Sequence, residues 1–391
     1  MTHRRSHRLD RLAKIYDAEI LPLWSERFGK LLLGKLKIPP KAMVLDVGAG
    51  TGYPALEVLR RMDDGGRVIS IDPSSAMLDV AREKAGPLSS KRIFFRSESA
   101  EPRLSFADEV FDVVVCNLAL GEMEDPARAV ADFARVCKPG GRVVATLPLG
   151  GTFDEFHDLL RETLVQLDRT DAIERFDQYQ ASQPTTRDLR TWFERAGLRD
   201  VVVDFVEYEL LFRSSREFFF APIIEYGPLA DWKEIAGTGA DMQEVFWKVK
   251  ESIDAYFGDR AFAVTVRAGC ASGRRATETE LVEEDYGMSV PSSVTSVPQV
   301  PMVPMGPMVP MGPMVTISPV AHGSDGPTSE ISINTADFEL VESTQNSFVG
   351  EPAARRYEDE DLDPAPAEDL ADILEPDSEI FTSPGGRMRR R

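Results

Sequence analysis

The chain has 391 residues, 42% of them hydrophobic and 28% charged, and a formal net charge of −20. From residue 276 onward 22 acidic residues stand against six arginines and no lysine, so about −16 of that charge lies in the last stretch and about −4 in the first 275 residues. The front part is therefore apolar enough to bury one sizeable core, lacks the basic excess of a nucleic-acid binder, and contains no uninterrupted apolar run of membrane-spanning length.

In chain order, residues 8–38 read as one helix, because Trp24, Phe28, Leu31, Leu32 and Leu36 fall at helical spacing. Pro39-Pro40 closes it, since proline cannot continue a helix interior. Residues 43–47 are a first apolar strand, and they run into three glycines at alternating positions, Gly48, Gly50 and Gly52. A glycine loop at the end of a first strand lets a ligand lie against bare backbone. Helix 53–62 follows, then strand 67–71. That strand ends in Asp72, a carboxylate placed to accept hydrogen bonds from both hydroxyls of a ribose, so loop and acid together indicate an adenosine-bearing ligand.

Helix 74–85 starts at Ser74 or Ser75, either of which can cap it. A short third strand covers 92–95, and a fully buried type of strand covers Phe111 to Cys116. Helix 126–137, the turn Lys138-Pro139-Gly140-Gly141 and strand 142–147 complete the regular alternation. Such alternation predicts a parallel sheet with helices on both faces. A helix at 186–196 stopped by Gly197, an extended stretch at 199–212, a helical region at 215–257 and a last strand from Phe262 to Arg267 follow.

The glycine spacing separates rival ligands. A nicotinamide or flavin site needs Gly-x-Gly-x-x-Gly, but the third position here is Tyr53 and the pattern is Gly-x-Gly-x-Gly. A P-loop needs a lysine after its last glycine, and Thr51-Gly52-Tyr53 has none. A pyrophosphate ligand is disfavoured on both counts.

Four separated stretches then carry a family resemblance: residues 44–52, Asp72 with Pro73 to Leu78, Ser99-Ala100-Glu101 with Phe106 to Asp112, and Arg135 to Gly141. Over about residues 40–268 the chain resembles class I S-adenosylmethionine-dependent methyltransferases of the small-molecule type. The resemblance implies an α/β fold, a Rossmann-like doubly wound seven-stranded sheet, with S-adenosylmethionine as cofactor. It places Asp72 on the ribose hydroxyls, and Gly48, Ala49 and Gly50 against the methionine part. Asp46 anchors the loop and favours the ligand's ammonium. Met77 packs on the adenine or ribose face, and the Ala100 N–H meets the adenine. Asn117 and Leu118 flank the reacting end. Ser99 stands where relatives carry an acid for the adenine amino group, and Glu98, one residue along, points elsewhere. Relatives also carry His or an aromatic near Gly121 and Glu122, and their absence from this chain disfavours a histidine-based mechanism. Tyr16-Asp17 resembles a lid element, and a staple holding the first helix accounts for it equally well. His157, beside Phe153 and Phe156, reads as packing rather than catalysis. The fold needs no fixed catalytic residue, and none is assigned.

The expected organisation is an N-terminal helical cap at 1–40, a methyltransferase domain at 41–275 with a helical substrate-cover insertion at 211–257, and a tail at 276–391. That tail carries proline at every third position from 298 to 313 and methionine at every third from 302 to 314. Polyproline II has three residues per turn, so the methionines line one edge of an extended rod, either a stiff spacer or a docking edge for a protein partner. The acidic, core-poor remainder has the composition of a disordered segment. Three scattered cysteines and four histidines give neither a metal-ligand spacing nor a disulfide framework, which suits a reducing, cytoplasmic setting. The N-terminus is basic without the apolar stretch of a secretory signal.

The aromatics of 211–257 and the missing Asn-Pro-Pro-Tyr signature after strand four favour a small-molecule, lipid or carrier-bound acceptor over a nucleobase. The competing expectation is a catalytically silent cofactor-binding module that recruits partners through its tail.

Overall fold

A computed structural model describes residues 2–258, 260–277 and 279–280, with side chains from Leu9 onward. The remainder of the expected tail, including the Met/Pro repeat, lies outside the described residues. Seven strands form one sheet: β1 (Met43–Val47), β2 (Arg67–Asp72), β3 (Ile93–Ser97), β4 (Phe111–Asn117), β5 (Cys137–Pro148), β6 (Leu198–Phe212) and β7 (Phe262–Arg275). Their order is β3-β2-β1-β4-β5-β7-β6. The first five are parallel, whereas β7 runs antiparallel between β5 and β6. The sheet is thus mixed, with the expected parallel arrangement in its first five strands. β1 lies between β2 and β4, so the winding reverses there, and a ligand crevice opens beyond the carboxyl ends of those strands.

Twelve helices accompany the sheet among the described residues: α1 (Thr2–Ile15), α2 (Ser25–Lys35), α3 (Ala55–Arg60), α4 (Ser75–Ala85), α5 (Pro126–Val136), α6 (Asp154–Gln166), α7 (Thr170–Ser182), α8 (Thr186–Arg195), α9 (Ser215–Phe220), α10 (Pro222–Glu225), α11 (Leu229–Ala236) and α12 (Gly239–Phe257). Strand alternation divides the core. Val44, Val113, Val115 and Val144 pack against Leu32 and Leu33 of α2 and Val58 of α3. Leu45, Val47, Val114 and Val143 pack on the opposite face against Phe133 of α5 and Phe193 of α8. A third cluster joins α6, α7, α9, α11 and α12 to the β6 and β7 ends nearest them, through Phe156, Phe218, Phe219, Trp232, Phe246 and Phe262.

The single helix expected over 8–38 is two helices. A π-helical turn, Tyr16–Ile20, and the turn at 21–24 separate α1 from α2. Pro22 stands in that break, where its ring cannot fit a helix interior. The break turns α2 onto the sheet, where Leu32 and Leu33 join the core. The α6–α7 hairpin, absent from the sequence reading beyond a helical His157, supplies much of the third cluster. Lys138–Gly141 belongs to β5 rather than to a free turn, and the pairing register slips between Phe111 and Val113 where that segment meets β4.

β7 continues eight residues beyond the expected Arg267. Ala276 is buried after it, and Thr277 and Glu280 make the reciprocal hydrogen bonds of a capping box. Ordered chain thus continues past the expected boundary at 275. No helix among the described residues is long and apolar enough to cross a membrane.

Candidate functional site

The site is built from the carboxyl ends of β1, β2 and β4. After Val47 the chain turns, and the N–H groups of Gly48 and Ala49 both donate to the Ile71 carbonyl, at 2.9 and 3.0 Å. Gly48 has φ +75°, and a Cβ there would overlap the Cβ of Ala119. Only glycine lets the chain after β4 come this close to the loop. The Gly50 N–H donates to Asp72 Oδ2 at 2.9 Å, and the Ser74 N–H donates to Oδ1 at 2.8 Å. Asp72 therefore ties the loop to the start of α4, and each of its oxygens keeps a lone pair for a ligand hydroxyl. Burial raises its pKa above the usual carboxylate range, and the Ser74 and Gly50 donors pull in the opposite direction.

Asp46 lies beneath the loop, fully buried. The Ser70 hydroxyl donates to Oδ2 at 3.3 Å, while Oδ1 has no hydrogen-bond partner. Burial foremost, opposed by the Ser70 donor and reinforced by the Asp72 charge, pushes this carboxyl up to about 7. An ammonium brought within reach would satisfy the orphaned oxygen and restore the charged form.

At the end of β4, the Asn117 amide donates to the Ser25 carbonyl at 3.1 Å and its oxygen accepts from the Thr146 hydroxyl at 2.8 Å. These bonds fix the start of α2 on the sheet. Leu118 follows with φ +74°, a left-handed backbone that a branched side chain seldom adopts outside a constrained site. Its N–H donates to the Thr146 carbonyl at 2.9 Å. A 3₁₀ turn, Ala119–Glu122, then runs along the glycine loop. Glu122 is accessible, yet desolvation foremost and the Asp72 charge second push its carboxyl up to about 7. The sequence names Glu122 only as a place where relatives carry a histidine or an aromatic and gives it no role; in the structure it lies three residues beyond Ala119, which faces Gly48.

The π turn covers the crevice. The Tyr16 ring edge lies 3.7 Å from where a Gly50 Cβ would be, and its hydroxyl shares a 2.7 Å hydrogen bond with the Ser25 hydroxyl. Burial first, then the charges of Glu122 and Asp72 among others, push that phenol up to about 12 against the Ser25 bond. Asp17 pairs with Lys84 of α4 at 2.6 Å, so the segment both roofs the site and staples the cap. π-Helical turns are rare and recur at functional sites. Met77 is buried in the seam between α4 and α1, with Ala13, Leu9 and Tyr16 around it.

The adenine end is less built. Ser99 is exposed, and its hydroxyl accepts from the Glu101 N–H at 3.1 Å. Glu98 accepts from the Ser105 N–H at 3.2 Å and pairs with Arg96 at 2.6 Å, which directs it away from any ligand. Ala100 is partly buried and packs on the core beneath β4 and α5. Thus Asp46, Gly48, Ala49, Gly50, Asp72, Asn117 and Leu118 converge on the strand ends, Met77 joins the seam above them, and Ser99 and Ala100 lie past β3.

Residues 45–145 match a family described as a methyltransferase domain. Over that span the chain carries an S-adenosylmethionine-dependent methyltransferase domain. A curated relative, the demethylmenaquinone methyltransferase of Mycobacterium sp. (strain KMS), is 29% identical over 204 residues, covering 50% of this chain and 82% of the relative. The demethylmenaquinone methyltransferase of Thermobifida fusca is 36% identical over 138 residues, covering 34% and 57%. Among solved structures, the YcgJ protein of Bacillus subtilis is 18% identical over 64% of this chain and 99% of that one, with a TM-score of 0.42.

S-adenosylmethionine is the methyltransferase's cofactor, and this chain's residues fit it. The orphaned Asp46 Oδ1 suits its ammonium, the side-chain-free surface at Gly48 and Gly50 suits its close approach, and the Asp72 oxygens suit its ribose.

Proposed function

We propose that this methyltransferase transfers the methyl group of S-adenosylmethionine to an apolar, ring-bearing small molecule of the quinone class. The observation that carries the cofactor half is the Asp72 clamp beside the buried, half-satisfied Asp46. In this reading Asp72 holds the ribose, and Asp46 with Gly48, Ala49 and Gly50 holds the amino-acid end. Ala100 donates its N–H to the adenine, and Ser99 borders it. Leu118 lines the reacting end. Asn117 acts by fixing α2, and Met77 by seating α4 against the π turn.

The bound cofactor supplies a methyl carbon already activated on a sulfonium, so the protein's work is orientation and exclusion of water. Tyr16 and the π turn do the second, standing over Gly50. α10 of the cover packs against that turn, so cap and cover close the crevice together.

The quinone class is supported by the names of the curated relatives. Most cover aromatics are fully buried against one another, so they are core and not pocket lining. The partly buried Trp24, stacked on Phe153 at 5.9 Å and adjacent to Ser25, is assigned to the acceptor side.

Calorimetry with S-adenosylmethionine tests the first half. Wild type should bind, and Asp72→Ala should bind about 10- to 100-fold more weakly, the scale of two lost hydrogen bonds to a charged group. Equal affinity removes Asp72 from the site. Reduced demethylmenaquinone, offered with methyl-labelled cofactor, tests the second half. Label in the quinone supports the class; binding of cofactor with no label transferred rejects it.

A further inference from the structure

The sulfonium of the cofactor joins its ribose to its amino-acid arm. If Asp72 holds the first and Asp46 with Gly48 the second, the charged sulfur lies between them. The wall beside that gap is the 3₁₀ turn after β4. Ala119 abuts Gly48, and residues three apart in a 3₁₀ helix eclipse one another, so Glu122 projects from the same side as Ala119. Electrostatic relations agree with that placement. Glu122 is within electrostatic reach of Asp72 on β2, and of Tyr16, whose ring lies over Gly50. It also acts on the Cys116 thiol at the end of β4, as Asp46 does. Glu122 therefore stands beside the groups that bracket the sulfur position, within electrostatic reach of β2, the end of β4 and the π turn.

We infer that Glu122 is a cofactor-binding residue that recognises the positive charge of the sulfonium and so distinguishes S-adenosylmethionine from its demethylated product. The inference rests on the cofactor reading above. Methyl transfer breaks the sulfur–methyl bond with its electron pair left on sulfur. It forms the acceptor–methyl bond and sends the acceptor's displaced proton to water. The charge beside Glu122 thereby disappears. A carboxylate at this place holds the substrate form of the ligand and loses its attraction once the reaction is over, which favours exchange of product for fresh cofactor. The direct bonds of Asp46 and Asp72 do not make this distinction, because the ammonium and the ribose are the same in both ligands.

Calorimetry on the full chain at pH 8 with S-adenosylmethionine and, separately, S-adenosylhomocysteine tests it. Glu122→Gln should weaken the first about fivefold, the scale of one partly screened ion pair, and leave the second within about twofold. Glu122→Lys should move the ratio further in the same direction. Equal losses for both ligands would make Glu122 a structural residue only, and unchanged affinity for both would remove it from the site. A wild type that binds neither ligand overturns the cofactor reading itself, a result distinct from either.

Discussion

The strand ends and the helical cover solve opposite problems. At the ends of β1, β2 and β4 the protein keeps polar groups incompletely satisfied: one oxygen of Asp46 has no partner, and both oxygens of Asp72 have spare lone pairs. In the cover it leaves almost nothing over. Phe156 and Trp232 meet at 4.0 Å between ring centroids, Phe218 packs against Phe156, Phe219 and Phe262 within 5.1 Å, and all five rings are buried. The first region stores binding capacity as unmet hydrogen bonds, and the second stores stability as packed aromatic surface. A substitution in one should therefore register chiefly in ligand affinity, and a substitution in the other chiefly in stability.

The sharpest way to break this division is Trp232→Ala. Trp232 is fully buried and touches rings from α6 and α9. Its loss should cost about 3–5 kcal/mol of unfolding free energy, read by urea denaturation. Affinity for S-adenosylmethionine under conditions where the variant remains folded should stay within about threefold. A large loss of affinity in folded protein would join the two regions energetically and end the comparison.

Legibility follows the same division. The glycine loop, Asp72 and the alternating strands were readable because backbone geometry there admits few residue types: an overlap with Ala119 forbids any side chain at Gly48. The cover was not, because aromatic residues at helical spacing look alike whether they face a ligand or one another. Only the structure shows that Phe218, Phe219 and Trp232 face one another. α7 was missed for a related reason, since its apolar stripe is thin, with Ala172 and Phe176 as its buried residues. Two local signals were present and unread: Pro22, which breaks the first helix, and Thr277 with Glu280, a capping-box pair beyond β7. The antiparallel placement of β7 has no local signature, because it is set by what the cover inserts between β6 and β7.

A second prediction probes a buried titratable group of α6 that packs against the cover. His157 is buried, accepts from the Trp232 indole N–H at 3.2 Å through Nε2, and has Asp154 4.0 Å from Nδ1. Phe176 and Tyr179 present ring edges to it. Burial pushes its pKa down to about 4, against a smaller upward pull from Glu155. Between about pH 6.5 and 4 the unfolded chain binds a proton at this histidine that the folded chain refuses, so this group withdraws stability as the solution is acidified. The loss should reach about 3 kcal/mol at the acid end. Asp46 and Glu122, raised to about 7, act in the opposite sense, stabilising the fold as pH falls. The measurement must therefore be a difference: His157→Gln, which can still accept from Trp232, should flatten the acid limb of the melting-temperature profile relative to wild type. Parallel profiles would show that His157 does not titrate in this window.

The smallest effects come from two glycines that look equivalent in sequence and differ in space. Both have positive φ, +75° at Gly48 and +50° at Gly50. A Cβ at Gly48 overlaps Ala119, whereas one at Gly50 finds only Tyr16, at an ordinary 3.7 Å. Gly48→Ala must bear left-handed strain and overpacking together, about 3 kcal/mol. Gly50→Ala bears the strain alone, about 1 kcal/mol. Unfolding free energies of the two variants should differ by that margin, and Gly48→Ala should also lose cofactor affinity, since it pushes the turn after β4 away from the loop. Equal destabilisation would mean that backbone conformation governs both positions. The close approach of β4 to the glycine loop, on which the placement of Glu122 depends, would then carry no energetic weight.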